Sequence, residues 1–244
     1  MKDPMPHLDW LEPGQAFPAL KRAWGPDSPA PGLLAAGGRL DTPTLLSAYR
    51  QGIFPWFSRG QPVLWWSPDP RMVLQVSHWR LHRSLRKTLE RFRRDPDCEI
   101  RIDHDFAAVI RHCAGIERPS QSGTWIVPEM IRAYETLHEA GHAHSVETWV
   151  RGRLVAGLYC VAIGRAVFGE SMFTTVTDGS KIALAALVAF CRHHGIERID
   201  CQQNTRHLAS LGAAELPRAD FVASVARAAS EPSPPSWRFE PVYW

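Results

Sequence analysis

The sequence predicts an α+β fold with a mixed sheet in its larger part and a small domain before it. Residues 143–171 hold three strand patterns in succession, with turns at Arg151-Gly152 and Gly164-Arg165. A helix pattern over 180–194 and the strand pattern "IERIDCQ" follow. An antiparallel meander followed by a strand–helix–strand unit builds a mixed sheet.

The first 70 residues have a different character from the rest. A Gly-rich turn leads to a short helix that Asp41 or Thr42 caps, with Pro43 at its first position and Gly52 to end it. The next segment, "FPWFSRGQPVLWWSPDPR", places tryptophans among prolines and glycines. We therefore predict a small domain over 1–70 and a catalytic domain over 71–244, with a Pro/Ser-rich tail from about residue 230 lying on the surface.

Helix and strand patterns alternate through the remainder. Apolar residues recur on one face of 78–94, the strand "CEIRID" follows, and two helix patterns, "HDFAAVIRHCA" and "VPEMIRAYETLHEAG", precede the meander. A last helix is predicted near 204–211. This order of elements resembles that of the N-acetyltransferase-like fold.

Composition narrows the class of protein. The 244 residues are 45% hydrophobic and 22% charged, with a net charge of +3, as in soluble globular proteins. The first ten residues show no signal-peptide pattern and the apolar runs are too short to span a bilayer, so we expect a cytoplasmic protein without membrane contact. The five cysteines form no C-x-x-C pair, and we expect reduced thiols, no metal and no cofactor.

Polar residues end two of the predicted strands. Asp200 and Gln202 end "IERIDCQ" on one face with Cys201 opposite, and Glu170 ends "GRAVFGES". Ligands bind beyond such strand ends, and two converging carboxylates favour a cationic substrate. Asp200 as the cap of the next helix, and Glu170 as an exposed strand end, stay open as alternatives. Ser171 lacks the final glycine of a nucleophile elbow, which argues against a serine hydrolase.

Two further features suit a nucleic acid. The helix predicted over 78–94 has a basic face opposite its apolar face. The basic face either binds phosphates or is simply exposed to solvent. Loop tryptophans offer flat surfaces for stacking a base, or pack beneath the loops. The basic residues are Arg80, Arg83, Arg86, Lys87, Arg91 and Arg94, with Arg93 beside them, and the tryptophans include Trp56 and Trp125.

Ten short blocks in order resemble the bacterial leucyl/phenylalanyl-tRNA–protein transferases. The blocks are "GLLAAGGRL", "YRQGIFPWFS", "LWWSPDPR", "GTWI", "LHEAGHAHSVETW", "GESMF", "SKIAL", "DCQ", "HLASLGA" and "PR", covering about residues 30–222. The resemblance implies an N-acetyltransferase-like catalytic domain. It also implies transfer of Leu or Phe, and less often Met, from aminoacyl-tRNA to proteins with N-terminal Arg or Lys, which marks them for N-degron degradation. We expect the enzyme to be a monomer.

The resemblance also implies roles for individual residues. Asp200, Gln202 and Glu170 would be catalytic, and Trp125 and Trp56 would hold the terminal adenosine. With tRNA as the substrate, we expect the basic residues of 80–94 to contact its phosphates because of their charge. The aminoacyl pocket would be Leu158, Val167, Met172 and Leu187. Val167 and Leu187 stand where well-known members have aromatic residues, which leaves the preference between Leu and Phe open.

Two other functions are compatible with this fold. A CoA-dependent N-acetyltransferase needs a Gly-rich pyrophosphate loop before a helix, whereas "TTVTDGSK" has one glycine. A non-catalytic tRNA-binding module would bind aminoacyl-tRNA and leave its ester intact.

Overall fold

A computed structural model describes residues 7–116 and 126–244, and these residues form two sheets and seven α-helices. The α-helices are α1 (Thr42–Arg50), α2 (Arg83–Arg94), α3 (Phe106–Gly115), α4 (Pro128–Glu139), α5 (Gly179–His193), α6 (Arg206–Ser210) and α7 (Arg218–Ser230). The strands are β1 (Asp9–Leu11), β2 (Leu33–Gly37), β3 (Phe54–Pro55), β4 (Leu64–Trp66), β5 (Arg71–Gln75), β6 (Cys98–Ile102), β7 (Ala143–Val150), β8 (Arg153–Ile163), β9 (Ala166–Thr174), β10 (Arg198–Gln202) and β11 (Ala214–Leu216). The predicted α+β class is confirmed.

The smaller sheet has the order β1-β2-β4-β3 and belongs wholly to the first 66 residues. Helix α1 follows β2, and the Asp41 side chain caps it by accepting the Thr44 N–H at 2.9 Å, as the sequence predicts. Leu45, Ala48 and Tyr49 form its buried face. These residues share one apolar core with α3, α4 and one face of the larger sheet, so the N-terminal part packs directly on the rest of the chain.

The larger sheet has the order β11-β5-β10-β9-β8-β7-β6 and is mixed. Strands β6 to β9 form the predicted antiparallel meander, and β10 lies parallel to β9. Only two residue pairs, Ile199–Val167 and Asp200–Phe168, join β10 to β9. The apolar helix α5 covers one face of the sheet, while α1, α3 and α4 cover the other.

Two one-residue irregularities interrupt the strands where the parallel ladder ends. On β9, Gly169 and Ser171 pair with consecutive residues of β8, which leaves Glu170 as an extra residue. On β10, Asp200 and Gln202 pair with consecutive residues of β5, which leaves Cys201 extra. A bulge changes the direction of the side chains that follow it, so both strands turn new side chains toward the space between them.

The basic helix starts later than the periodicity predicts. Val76–His78 is a 3-10 turn and α2 begins at Arg83, so Arg80 precedes the helix. The backbone N–H of Arg80 donates to the Leu211 carbonyl at 2.9 Å. This bond to the segment after α6 holds the chain in a non-helical conformation before α2.

Helix α7 is absent from the sequence prediction. It follows Pro217 and buries Phe221, Ser224 and Val225, a weak apolar pattern within an Ala-rich segment. The chain after it crosses the surface, where the Trp237 ring stacks on His144 at 3.8 Å between centroids. Within the described ranges, the helices are too short or too polar to cross a membrane.

Candidate active site

A cavity of about 350 Å³ opens where β9 and β10 separate, a volume typical of small-ligand pockets. Strands β8, β9 and β10 with helices α5 and α6 supply its walls. The apolar lining residues are Leu158, Met172, Leu184, Leu187, Ile199 and Leu208, and the polar ones include Glu170, Gln202, Thr205 and His207. The cavity therefore presents an apolar surface next to a few polar groups.

Glu170, the extra residue of β9, is contacted by three polar side chains at this cavity. Tyr49 donates its hydroxyl to Glu170 Oε1 at 2.8 Å, and the Gln202 side-chain amide donates to the same oxygen at 3.0 Å. The Tyr134 hydroxyl lies 3.4 Å from the other oxygen and is also hydrogen-bonded to the Tyr49 hydroxyl. Because the Tyr49 proton goes to Glu170, Tyr134 is the donor to Tyr49 and shares its single proton with Glu170 Oε2. Side chains from α1, α4 and β10 thus converge on one half-buried carboxylate.

The environment raises the pKa of Glu170 to about 7. Burial is the main cause and the negative charge of Asp200 adds to it, whereas the hydrogen bonds from Tyr49, Gln202 and Tyr134 act in the opposite direction. Burial also raises the pKa of both tyrosines well above its usual value, so their hydroxyls stay protonated and donate. A carboxyl group that titrates near neutral pH is suited to accept and return a proton.

Asp200 is buried and fully paired. The Arg71 guanidinium donates from Nε to Oδ1 at 2.8 Å and from Nη2 to Oδ2 at 2.6 Å, and each side chain is only 1% exposed. The alternative role of Asp200 as the cap of the next helix is wrong, because Thr205 caps α6. The charge of Asp200 is therefore neutralised by Arg71 of the protein itself rather than by a cationic substrate.

Gln202 links this ion pair to Glu170. Its backbone N–H donates to Asp200 Oδ1 at 2.9 Å, and its φ of 60° is unusual for a residue other than glycine. The Gln202 side chain reaches Glu170 because of this turn and not through simple strand alternation. Arg71, Asp200, Gln202 and Glu170 form one continuous chain of hydrogen bonds.

Cys201 also lines the cavity, contrary to the expectation that it faces away from the site. Burial and the neighbouring Asp200 charge raise the pKa of its thiol to about 12. The thiol therefore stays protonated at neutral pH, and a thiol is a poor nucleophile compared with a thiolate. Within 7–116 and 126–244, no three His, Cys, Asp or Glu side chains are grouped as metal ligands.

The other predicted site residues divide into three groups. Leu158, Met172 and Leu187 line the cavity, whereas Val167 packs in the same apolar core but does not line it. Trp56 is half-buried against Trp66, with 5.4 Å between ring centroids, and is not a lining residue. Trp125 lies outside the described residues. The basic residues Arg80, Arg83, Arg86, Lys87, Arg91 and Arg94 are exposed, and none lines the cavity.

Sequence reasoning did not identify Arg71, Tyr49 or Tyr134. Arg71 ends "SPDPR", where a charged residue opens a strand whose next three residues are buried and apolar. Tyr49 and Tyr134 lie on the apolar faces of α1 and α4. A buried tyrosine needs a hydrogen-bond partner, which was the signal available in the sequence.

Comparison with known proteins identifies the family. A model described as "Leucyl/phenylalanyl-tRNA protein transferase" matches residues 73–226, and one for the N-terminal domain of that transferase matches residues 38–69. A Polaromonas relative is 66% identical, with 97% of this chain and 92% of the relative covered. A relative from Albidiferax ferrireducens is 60% identical, with 100% and 96% covered. Both are named leucyl/phenylalanyl-tRNA–protein transferase. The chain therefore belongs to the leucyl/phenylalanyl-tRNA–protein transferase family and is an aminoacyltransferase.

Proposed function

We propose that this protein transfers Leu or Phe, and less often Met, from aminoacyl-tRNA to the α-amine of proteins with N-terminal Arg or Lys. The transfer marks the acceptor for N-degron degradation in the cytoplasm, and the enzyme acts as a monomer. The supporting observation is the contact of Glu170 with Gln202 in the wall of an apolar cavity. An apolar amino acid fits the lining, and a cationic acceptor fits the carboxylate.

The cavity is our candidate site for the transferred side chain. Burial of an aliphatic group contributes roughly 0.8 kcal/mol per CH₂, so a lining such as Leu158, Met172 and Leu187 favours Leu, Phe and Met over polar amino acids. For the tRNA itself, we assign the terminal adenosine to Trp56 and Trp125. The basic residues from Arg80 to Arg94 would contact its phosphates.

The reaction joins an amine to an activated ester. The acceptor nitrogen attacks the ester carbonyl carbon, a C–N bond forms, and the C–O bond to the terminal ribose breaks. One proton leaves the nitrogen and one arrives on the ribose oxygen, so protons balance. An α-amine has a pKa of about 7.7–8.0, so roughly a tenth is already free base at pH 7. Positioning of the two reactants supplies most of the acceleration.

Glu170 is our candidate for the group that moves this proton. Its pKa of about 7 lies close to that of the amine, and Tyr49 and Tyr134 hold the carboxylate in place. Gln202 would orient the amine or the ester carbonyl through its side-chain amide. Since Asp200 is already neutralised by Arg71, its contribution would be to hold Gln202 and only weakly to attract the acceptor.

Transfer of radiolabelled Phe from Phe-tRNA to a peptide beginning with Arg tests this function. We expect Glu170→Gln, Gln202→Ala and Asp200→Ala each to lower kcat by about 10²-fold or more. An Nα-acetylated peptide of the same sequence is the matched control, because it lacks the attacking amine. Undiminished transfer by Asp200→Ala and Gln202→Ala would refute the assignment. Competition among Leu-, Phe- and Met-tRNA, with acceptors beginning with Arg, Lys or Ala, measures both preferences.

A further inference from the structure

Arg71 is a buried cation at the junction of the two parts of the chain. Besides its two bonds to Asp200, it donates from Nη1 to the Gly52 carbonyl at 3.1 Å. Its guanidinium lies 4.7 Å from the Phe54 ring centroid and 4.6 Å from that of Phe221. The segment after α1, strand β10 and helix α7 therefore all contact this one side chain.

The Arg71–Asp200 pair does more than neutralise a buried charge. A planar guanidinium that binds both carboxylate oxygens fixes the orientation of the carboxylate as well as its position. Asp200 Oδ1 then accepts the backbone N–H of Gln202, the residue that adopts a φ of 60°. Such a conformation persists only where surrounding contacts hold it, and Asp200 provides that contact.

We infer that Arg71 is a positioning residue for aminoacyl transfer. Through Asp200 it fixes the backbone of Gln202 and so places the Gln202 amide against Glu170. It also compensates the negative charge of Asp200, which acts electrostatically on the Glu170 carboxylate. The inference rests on the proposed roles of Gln202 and Glu170.

The first test separates positioning from binding. Arg71→Met is expected to lower kcat by about 10²-fold, as a misplacement of about 1 Å does, with KM for Phe-tRNA little changed because the apolar cavity is intact. If Arg71 acts through Asp200, the same substitution in an Asp200→Asn background lowers kcat much less. An equal loss in both backgrounds would overturn the inference.

The second test uses the pH dependence of kcat. The titratable groups around Glu170 are Tyr49 of α1, Tyr134 of α4, Cys160 of β8 and Asp200 of β10. Without Arg71, the Asp200 charge acts on Glu170 uncompensated and favours its protonated form. In Arg71→Met, we expect the part of the pH profile of kcat that follows the protonation of Glu170 to move to higher pH by about one unit. It should not do so in Arg71→Met/Asp200→Asn.

Two further variants keep the result decisive. Arg218→Met is the matched control, since Arg218 also joins α7 to the segment before β5, through the Ser67 carbonyl at 2.7 Å, without touching Asp200. It should leave kcat and its pH profile unchanged. If Arg71→Met does not fold, Arg71→Lys tests the same inference. The lysine ammonium keeps the positive charge but cannot bind both carboxylate oxygens in one plane as the guanidinium does, so kcat should fall by about tenfold.

The outcomes also separate this inference from the proposed function. Unchanged kcat in a folded Arg71→Met or Arg71→Lys protein, alongside impaired Gln202→Ala, overturns the role of Arg71 alone. Unchanged kcat in both Gln202→Ala and Glu170→Gln overturns the roles proposed for these two residues, whereas a native protein that transfers no Phe to the peptide overturns the proposed function itself.

Discussion

Glu170 shows how one inserted residue creates a reactive environment. In a regular strand Glu170 would pair with a residue of β8, but the bulge leaves it without a partner in that ladder. Its side chain instead contacts Tyr49, Gln202 and Tyr134. Its raised pKa means that the ionised form is less stable in the folded protein than in water. The catalytic role proposed for Glu170 would therefore come at a cost in stability, a trade common at active sites.

Glu170→Gln should reveal this trade as a pH-dependent gain in stability. The folded-state pKa of about 7 lies above the ordinary value of 4.5, so stabilisation from this group is fully present below pH 4.5 and is lost as the pH rises through 7. At pH 8 the variant should exceed the native protein in free energy of unfolding by about 1–3 kcal/mol, with the difference shrinking toward pH 4. Urea unfolding at several pH values measures it.

Glu129→Gln is the control for that experiment, because Glu129 is an exposed carboxylate at the start of α4. It should show no comparable pH-dependent gain. A Glu170→Gln protein no more stable than the native one at pH 8 would contradict the environment described for Glu170.

At the scale of elements, α5 contributes both to the sheet core and to the cavity. Leu184 and Leu187 face the cavity, while Ile182 and Ala185 pack toward α2. The helix period divides the two sets. A change on the cavity face therefore alters the space that we propose for the transferred amino acid without touching the α2 contact.

Leu187→Phe should shift the amino-acid preference toward Leu. The larger ring reduces the cavity, and a methylene-sized mismatch in an apolar pocket changes specificity by about tenfold or more, so the Phe-to-Leu ratio of kcat/KM should fall by that amount. Val167→Ile is the matched control, since Val167 is buried but does not line the cavity. An equal change of the Phe-to-Leu ratio in both variants would contradict the idea that the lining of this cavity sets the amino-acid preference.

Helix α2 carries the proposed tRNA contacts on its exposed face. Substituting Arg86, Lys87 and Arg91 by Gln should weaken binding of aminoacyl-tRNA and reduce its salt dependence. The log–log slope should fall by roughly 0.7–0.9 for each phosphate that the variant no longer neutralises, measured as Kd against KCl concentration. Arg227→Gln, an exposed change on α7, is the control. An unchanged slope in the triple variant would remove α2 from the tRNA interface.

At the scale of the whole molecule, the N-terminal part and the chain after α7 complete the apolar cores on the two faces of the larger sheet. The N-terminal sheet and α1 complete the core on one face of the larger sheet, and through Tyr49 they complete the site as well. On the other face the chain after α7 lies across α5 and β7, where the Trp237 ring stacks on His144 and on Phe190. The Pro/Ser-rich tail is thus an ordered cover of the core.

Trp237→Ala should destabilise the fold without lowering transfer activity measured on the folded protein. The ring contacts His144 and Phe190 away from the cavity lining, and loss of a half-buried aromatic costs about 1–3 kcal/mol. Trp10→Ala is the control, because Trp10 is 60% exposed, and its effect should stay below about 1 kcal/mol. Urea unfolding and the Phe-transfer assay together measure both effects. A Trp237→Ala protein of native stability would contradict the role of the tail.

The sequence by itself determined the features that depend on neighbouring residues. Turn residues and strand alternation predict the meander, a capping residue and Pro43 predict the start of α1, and polar strand ends identify Glu170, Asp200 and Gln202. Each signal acts within a few residues, where local backbone preferences dominate. The order of short blocks also indicated the family.

Only the tertiary structure decided which side chains meet at the candidate site. Arg71 pairs with a residue 129 positions away and Tyr49 with one 121 positions away, separations that local patterns do not connect. Bulges at Glu170 and Cys201 break the two-residue period on which the prediction of facing side chains rested, because a single extra residue reverses every direction after it. The same limit explains Val167, whose apolar character indicates burial but not which buried surface it joins.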